Sequence, residues 1–366
     1  MNICIIGDGL TSLSLAQNLV NKKINVHIFH ENKIDKLKSN RTIGISKNNL
    51  DFFRKEIQSL QKKNIWAINK IEIYSEKLNN KKILNFEKKA SDLFYMIRND
   101  KLYQSLNKKL SKNKFFRKIK IKDNDFYQKL MKKENYNLII NCIPNNFLAK
   151  KYFSKKIKKN YFNIAYTAML EHEKLDNKTA IQFFTKFGPI AFLPISDVAT
   201  SVVLSLDVKK KVYSEKEIID LIKKFNTKLK IKKISKLESF RLELSNLRNY
   251  HYKNILAFGD FLHRIHPLAG QGFNMNIRDI NILSRIIQNR IDLGMQLDSL
   301  ICEEFEKKTK YKNFLFSNGV DFIYEFFNFD KENNNKNLSQ ILEFIGKKNF
   351  LNNALISYAD NGMLDQ

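Results

Sequence analysis

The apolar positions change period several times along the chain, and each change marks an element. Residues 2–6 form a short continuous apolar run that ends in Gly7-Asp8-Gly9. Leu10, Leu13, Leu15, Ala16 and Leu19 then line one side of a helix that reaches Val20. Ile24 to Phe29 alternates as a strand does. Strand, glycine turn, helix and strand make the opening unit of a dinucleotide-binding fold.

Leu50, Phe53, Ile57 and Leu60 predict a helix over 47–62, and β patterns take over at Ile68–Tyr74, Ile83–Phe86 and Leu93–Ile97. Helical spacing returns over 99–111. Tyr136–Ile143 is an unbroken apolar strand suited to a buried parallel sheet, so the first domain is interrupted and resumed. Four further runs, Tyr161–Leu170, Ala180–Thr185, Ile190–Leu193 and Ser201–Leu206, predict a mostly antiparallel sheet. Gly188-Pro189 and Pro194 are its turn signals. Ser214-Glu215-Lys216-Glu217 is a capping box that opens a helix through about Leu229. Ile255–Gly259 returns to the first domain ahead of a helix over 273–290. The rest is helical apart from a polar loop at Asp330–Asn337. The last helix, with Leu338, Ile341, Leu342 and Ile345, packs on the core or meets a membrane or partner. No internal repeat is present. The fold class is α/β, a Rossmann-like domain with an inserted, mostly antiparallel β lobe and C-terminal helices.

The 366 residues, 43% of them hydrophobic, suffice for one large core with an inserted lobe, or for two domains. Lys and Arg outnumber Asp and Glu 65 to 37, giving a net charge of +28. Such a charge calls for an anionic partner, but the basic residues are spread evenly and show no RNA-binding signature, zinc knuckle or arginine-rich arm. An anionic membrane surface is therefore expected over nucleic acid. Cys4, Cys142 and Cys302 are odd in number and far apart, which argues for a reducing compartment and against a metal site. No apolar run reaches 18 residues, and Ile3-Cys4-Ile5-Ile6 meets Gly7 without a basic leader. The expected location is cytoplasmic, peripheral on the inner membrane face.

The chemistry concentrates in two segments. In Gly7-Asp8-Gly9-Leu10-Thr11-Ser12, Gly7 permits a tight turn and Gly9 lets the backbone approach a pyrophosphate. The helix opening at Leu10 directs its positive end there, and Ser12 is a small substitute for a third glycine. The acidic residue expected after the second strand to bind ribose is replaced by His30, with Glu31 next; either could make the contact. In the second segment, an apolar run from Leu256 ends in Gly259-Asp260. His263, His266 and Pro267 follow, then Leu268-Ala269-Gly270-Gln271-Gly272 and Asn274. A strand there delivers a carboxylate to a cofactor. The loop brings backbone N–H groups to a flat electron-rich ring at a helix N-terminus. His263 and His266 lack metal spacing; they serve as structural hydrogen-bonding groups or assist in deprotonating a phenol.

This second segment resembles the second flavin motif of the group A aromatic hydroxylases, and is most similar to the ubiquinone-biosynthesis hydroxylases. The resemblance implies an FAD-binding domain over 1–66, 99–150 and 251–295, a substrate lobe over 67–98 and 151–250, and a helical region over 296–366. It implies that Gly7, Gly9, Leu10, Thr11, Ser12, His30, Glu31, Arg41, Gly259, Asp260, Leu268, Ala269, Gly270, Gln271, Gly272 and Asn274 contact FAD. Asp260 would lie on the ribityl chain, Arg41 along the flavin and its phosphates, and 268–272 at the pyrimidine edge. His266 and Pro267 become the catalytic candidates. Residues 179–194 resemble the floor of the family's substrate pocket. The implied reaction is hydroxylation of a polyprenylated phenol by O2 through a flavin hydroperoxide, with NAD(P)H or another donor as reductant.

The sequence departs from the family at Phe261-Leu262, usually two alanines, and at Asn276, usually glycine. It also carries Ile143-Pro144-Asn145-Asn146 where an Asp-Gly contacts cofactor phosphates. That last departure keeps two alternatives open: a non-hydroxylating flavin-binding accessory protein of a ubiquinone-biosynthesis complex, and a flavin oxidoreductase of another prenyl lipid. A binding module for anionic surfaces without catalysis is a more distant alternative.

Overall fold

The computed structural model describes residues 1–31, 41–87, 92–122, 125–132, 135–209, 211–265 and 270–332. Its first sheet has the strand order 251–252, 255–257, 138–141, 2–6, 25–30, 116–120, and every pair is parallel except the outermost, 251–252 with 255–257. Ile3, Cys4, Ile5 and Ile6 are fully buried, as are Leu138 and Ile140. Strands covered on both faces need such continuous apolar runs. The helices Leu10–Asn21, Asn99–Leu110 and Gln271–Asp292 supply apolar faces to the same core. Three separate stretches of chain thus build one sheet.

The inserted lobe is a larger mixed sheet, in the order 263–264, 238–247, 156–172, 199–207, 188–194, 179–185, 70–75, 81–87, with 231–234 also pairing with 156–172. It is antiparallel except where 179–185 runs parallel to 70–75. A small antiparallel sheet of 42–46, 94–98 and 65–68 lies apart from both larger sheets in its pairing.

Several expected elements change on folding. The run Ile68–Tyr74 is not one strand. Ile65–Ile68 belongs to the small sheet and Lys70–Ser75 to the large one. At Asn69 the backbone N–H donates to the carbonyl of Lys178 as the chain crosses between sheets. Apolar residues fall on both sides of that crossing, so their pattern does not mark it.

The helix expected over 47–62 stops at Ile57 after a five-residue π turn. Asn21 Nδ2 donates to the carbonyls of Glu56 and Ile57, at 3.0 and 2.9 Å, and so caps its end from another helix. The helix opened by Ser214 does form its capping box, but it ends at Phe225 rather than about Leu229. There the Asn226 side chain donates to the carbonyl of Leu229 and accepts from its N–H.

Gly188-Pro189 is not the hairpin turn. Lys186-Phe187 are, and the Thr185 hydroxyl accepts from the N–H of Phe187 and of Gly188. The continuous strand expected over Tyr136–Ile143 is confined to Leu138–Asn141. The loop expected from Asp330 is helical as far as Glu332, because Leu300–Glu332 is one helix; its remainder and the helix expected from Leu338 lie outside the described residues. Phe116–Lys120 is an edge strand that its Arg and Lys residues disguise.

Gly44 carries the tightest packing demand. A Cβ there would sit 1.7 Å from Phe94 Cζ on the neighbouring strand. We expect Gly44→Ala to destabilise the fold by about 1–3 kcal/mol through overpacking, with partial recovery in Gly44→Ala/Phe94→Leu. Urea unfolding midpoints of the three proteins measure this.

Candidate functional site

In a parallel sheet the strands all end on the same side, and ligands collect outside those carboxyl ends. Here that edge carries Gly7-Asp8-Gly9 after 2–6, His30 after 25–30, Cys142-Ile143-Pro144 after 138–141 and Gly259-Asp260 after 255–257. The helices Leu10–Asn21 and Gln271–Asp292 both begin close to this edge.

The first turn is built as its residue types demand. Gly7 has φ +111°, which a side chain rarely adopts, and its N–H donates to the carbonyl of Phe29 at 2.8 Å. Ser12 is buried with its Oγ 3.6 Å from where a Gly7 Cβ would lie, so the small residue satisfies the close packing expected of a third glycine. Gly9 is different. Its φ is −72°, available to any residue, and a Cβ placed on it meets nothing within 4 Å among the described residues. A Cβ on Gly272, in the first turn of the later helix, likewise meets nothing within 4 Å among the described residues. Neither glycine is required by packing among the described residues, and at Gly272, inside the helix, glycine costs about 1 kcal/mol relative to alanine. Bare backbone beside two helix N-termini fits the approach of an anionic dinucleotide, so these residues fit the cofactor that the resemblance implies.

Asp260 is exposed at the edge, and Asn276 ties it to the first motif. Asn276 Nδ2 donates at 2.9 Å both to Asp260 Oδ1 and to Thr11 Oγ1. The residue that departs from the family's glycine therefore bridges the two motifs. Gly259, at φ +66°, is needed there because a Cβ would lie 3.0 Å from Thr11 Cγ2. Arg41 lies with its guanidinium 4.0 Å from the Phe240 ring centroid and within the electrostatic reach of Asp260 and Glu238. Burial lowers its pKa, which those two carboxylates oppose.

Asn274 turns inward. Its amide donates to the carbonyls of Gly44 and Gly270 and accepts from the N–H of Ser46 and from Asn49 Nδ2. It anchors the Gly270 turn, at φ +62°, against the strand Thr42–Ser46. Gln271 is buried, and its Oε1 finds no partner among the described residues. His266, Pro267, Leu268 and Ala269 lie outside the described residues. Leu10 is half-buried against the core.

His30 and Glu31 stand at the end of the second strand. Glu31 is exposed, and His30 Nδ1 is 4.0 Å from Asp8 Oδ2. The same Asp8 oxygen lies 3.3 Å from Lys118 Nζ and accepts from the Tyr103 hydroxyl at 3.3 Å. The members of this cluster lie far apart along the chain, so no local pattern marks it.

His263 is buried with Nε2 2.6 Å from Asp279 Oδ2, and Asn313 donates to the same carboxylate, while His263 Nδ1 finds no partner among the described residues. Cys4, Cys142 and Cys302 are free thiols. Burial pushes Cys142 and Cys302 up to about 12 and raises Cys4 further, so none is poised to react. Among the described residues no cluster could hold a metal ion, and no helix is long and apolar enough to cross a membrane.

Solved structures share this architecture. p-Nitrophenol 4-monooxygenase PnpA from Pseudomonas putida DLL-E4 aligns with a TM-score of 0.76 at 12% identity, over 99% of this chain and 98% of its own. Klebsiella pneumoniae HpxO, complexed with FAD and uric acid, aligns with a TM-score of 0.76 at 11% identity, over 100% and 98%. The fold is thus that of the FAD-dependent monooxygenases, the p-hydroxybenzoate hydroxylase-like fold.

The resemblance in sequence is to ubiquinone biosynthesis. The chain is 29% identical to ubiquinone biosynthesis monooxygenase COQ6, mitochondrial, of Xenopus tropicalis, over 46% of this chain and 45% of that protein. It is 32% identical to the protein of that name in Dictyostelium discoideum, over 26% and 19%. It is 28% identical to 3-demethoxyubiquinol 3-hydroxylase of Escherichia coli, over 39% and 38%. The matches span less than half the length of these curated relatives. No family model matches the chain.

Because the Gly9 backbone is open by choice of residue and not by packing, Gly9→Val is expected to fold normally and bind FAD at least about tenfold more weakly. Thermal unfolding of the flavin-free protein and fluorescence titration with FAD measure the two halves of this expectation.

Proposed function

We propose that this protein is an FAD-dependent monooxygenase that hydroxylates the aromatic ring of a polyprenylated phenol in ubiquinone biosynthesis. The observation that carries the reading is the pair of glycines, Gly9 and Gly272, left bare beside an exposed carboxylate that Asn276 holds in place. Once reduced, the flavin supplies the electrons that activate O2 for transfer of one oxygen atom. NAD(P)H or another donor would reduce it.

The protein's own tasks are to bind, orient and exclude water. The N–H groups opening the helix Leu10–Asn21 favour the pyrophosphate, and Asp260 would accept from ribityl hydroxyls. Arg41 offers a guanidinium fork to phosphate or carbonyl oxygens. Backbone donors of 268–272 would face the pyrimidine edge, where they favour negative charge. His266 and Pro267 are assigned to the reacting face, with His266 taking the phenol proton. Phe184, Leu242, Leu244, Ile265, Met275 and Phe316 pack into one apolar core cluster that joins the inserted lobe to the helices. We assign the Rossmann-like part to 1–66, 99–150 and 251–295 and the substrate lobe to 67–98 and 151–250. The basic charge suits a peripheral position on the anionic inner face of a membrane, beside other ubiquinone-biosynthesis proteins.

One observation favours a second reading, a flavin-binding accessory protein that does not hydroxylate. At Ile143-Pro144-Asn145-Asn146 the side chains serve the fold. Asn141 and Asn146 exchange amide hydrogen bonds of 3.1 and 2.8 Å, and Asn146 Oδ1 accepts from the N–H of Ala149. No carboxylate remains at this turn.

The purified protein is expected to show a flavin spectrum and to restore ubiquinone in a host lacking one ring hydroxylase. Asp260→Ala should abolish the rescue and weaken FAD binding about tenfold or more. A flavin spectrum without rescue in any host, with the protein folded and expressed, supports the accessory reading. A folded protein that cannot be loaded with FAD overturns both.

A further inference from the structure

A second feature at the same edge has no role in the assignment above. Three basic residues line a pocket of about 80 Å³ together with Pro144, Asn145, Ser245, Glu243 and Asp260. They are Lys156 and Lys158, on the strand Lys156–His172, and Arg264, on the strand His263–Arg264. Register explains how they meet. Lys158 pairs with Ser245, and Ser245 pairs with Arg264, so the three positions form one line across three adjacent strands. Lys156, two residues before Lys158, projects to the same face. Ser245 at the centre is small and leaves room between the flanking cations.

The charges are only partly balanced. Arg264 Nη1 donates to Glu243 Oε1 at 2.6 Å. Neither Lys156 nor Lys158 has an ion-pair partner among the described residues. Asp260 also faces the pocket, but Asn276 occupies one of its oxygens and Arg41 lies within its reach. Burial lowers the pKa of Lys156, and the neighbouring Lys158 ammonium adds to that, with Arg264 acting in the same sense against Glu243. Like charges held this close in a recess repel one another unless an anion joins them. The pocket is roomy enough for several waters, and so for one compact anion. It opens beside the end of the strand Leu138–Asn141, on the edge where a parallel sheet collects its ligands.

We propose that Lys156, Lys158 and Arg264 form a binding site for a phosphate group of a dinucleotide. The proposal rests on the flavoprotein reading for its choice of dinucleotide. The phosphate has two sources, the pyrophosphate of FAD itself or that of a second nucleotide that arrives as reductant.

The test is calorimetric titration of the full chain with inorganic pyrophosphate, flavin-free and then loaded with FAD. Saturable binding is expected, weakening with added salt. K156Q/K158Q, two substitutions at partly exposed or exposed lysines, should weaken it about tenfold or more. Glu243→Gln, which removes the competing carboxylate, should tighten it severalfold, an outcome a misfolded variant cannot give. If FAD-loaded protein still binds pyrophosphate and K156Q/K158Q retains full FAD affinity, the site serves a second nucleotide. If FAD blocks pyrophosphate and the double variant loses FAD affinity in step, the site holds the cofactor's own pyrophosphate. Absence of saturation in the wild type, or unchanged affinity in K156Q/K158Q, overturns the proposal. A protein that takes up no FAD overturns the flavoprotein reading instead, while the flavin-free titration still decides the anion site.

Discussion

Two asparagines on a single helical turn hold together parts of the chain that lie far apart in sequence. Asn276 joins Thr11 to Asp260, and Asn274 joins Gly44 and Ser46 to Gly270. Both are essentially inaccessible to water, and a buried amide with its partners removed costs about 1–3 kcal/mol per lost group. The bonds therefore fix geometry more than they add stability. They set the distance between the first glycine turn and the exposed carboxylate, and they seat the start of the helix Gln271–Asp292 against the small sheet. The proposed cofactor edge depends on that spacing, because Gly7 and Gly9 offer it only backbone.

The glycines separate into two kinds, and the difference is chemical. Gly44 and Gly188 are demanded by packing, since a Cβ would lie 1.7 Å from Phe94 Cζ and 2.0 Å from the carbonyl oxygen of Ser205. Gly9 and Gly272 have no neighbour within 4 Å of a built Cβ among the described residues. Bare backbone kept beside a helix N-terminus suits the approach of an anionic ligand.

Much of this was legible in the sequence because the signals are local. The turn Gly7-Asp8-Gly9, the capping box at Ser214 and the helix after Gly270 each rest on a few adjacent residues, and each forms. The failures are long-range. The crossing between sheets at Asn69, the cap that Asn21 places on the carbonyl of Ile57, and the contact of Asp8 with Tyr103 and Lys118 all join residues whose proximity no periodicity records. Asn276 illustrates the limit. In the sequence it is a lost glycine, whereas in the structure it is the bridge between the two motifs.

The order of the strands also bears on how the chain reaches this state. The first sheet takes its strands from residues 2–30, 116–141 and 251–257, and its cofactor edge is complete only when the helix ending at Asp292 is in place. At roughly 5–20 residues per second, synthesis of the intervening chain lasts on the order of ten seconds to a minute. For the first part of it, roughly 5–20 seconds, the apolar strand Asn2–Ile6 can pair with Asn25–His30 but lacks its other neighbour, Leu138–Asn141. An unpaired apolar edge exposed for so long invites association with other nascent chains. Within these residues the domain that would hold the flavin is begun before the inserted lobe and finished after it, so a holdase or an early partner has most to protect at the strand Asn2–Ile6.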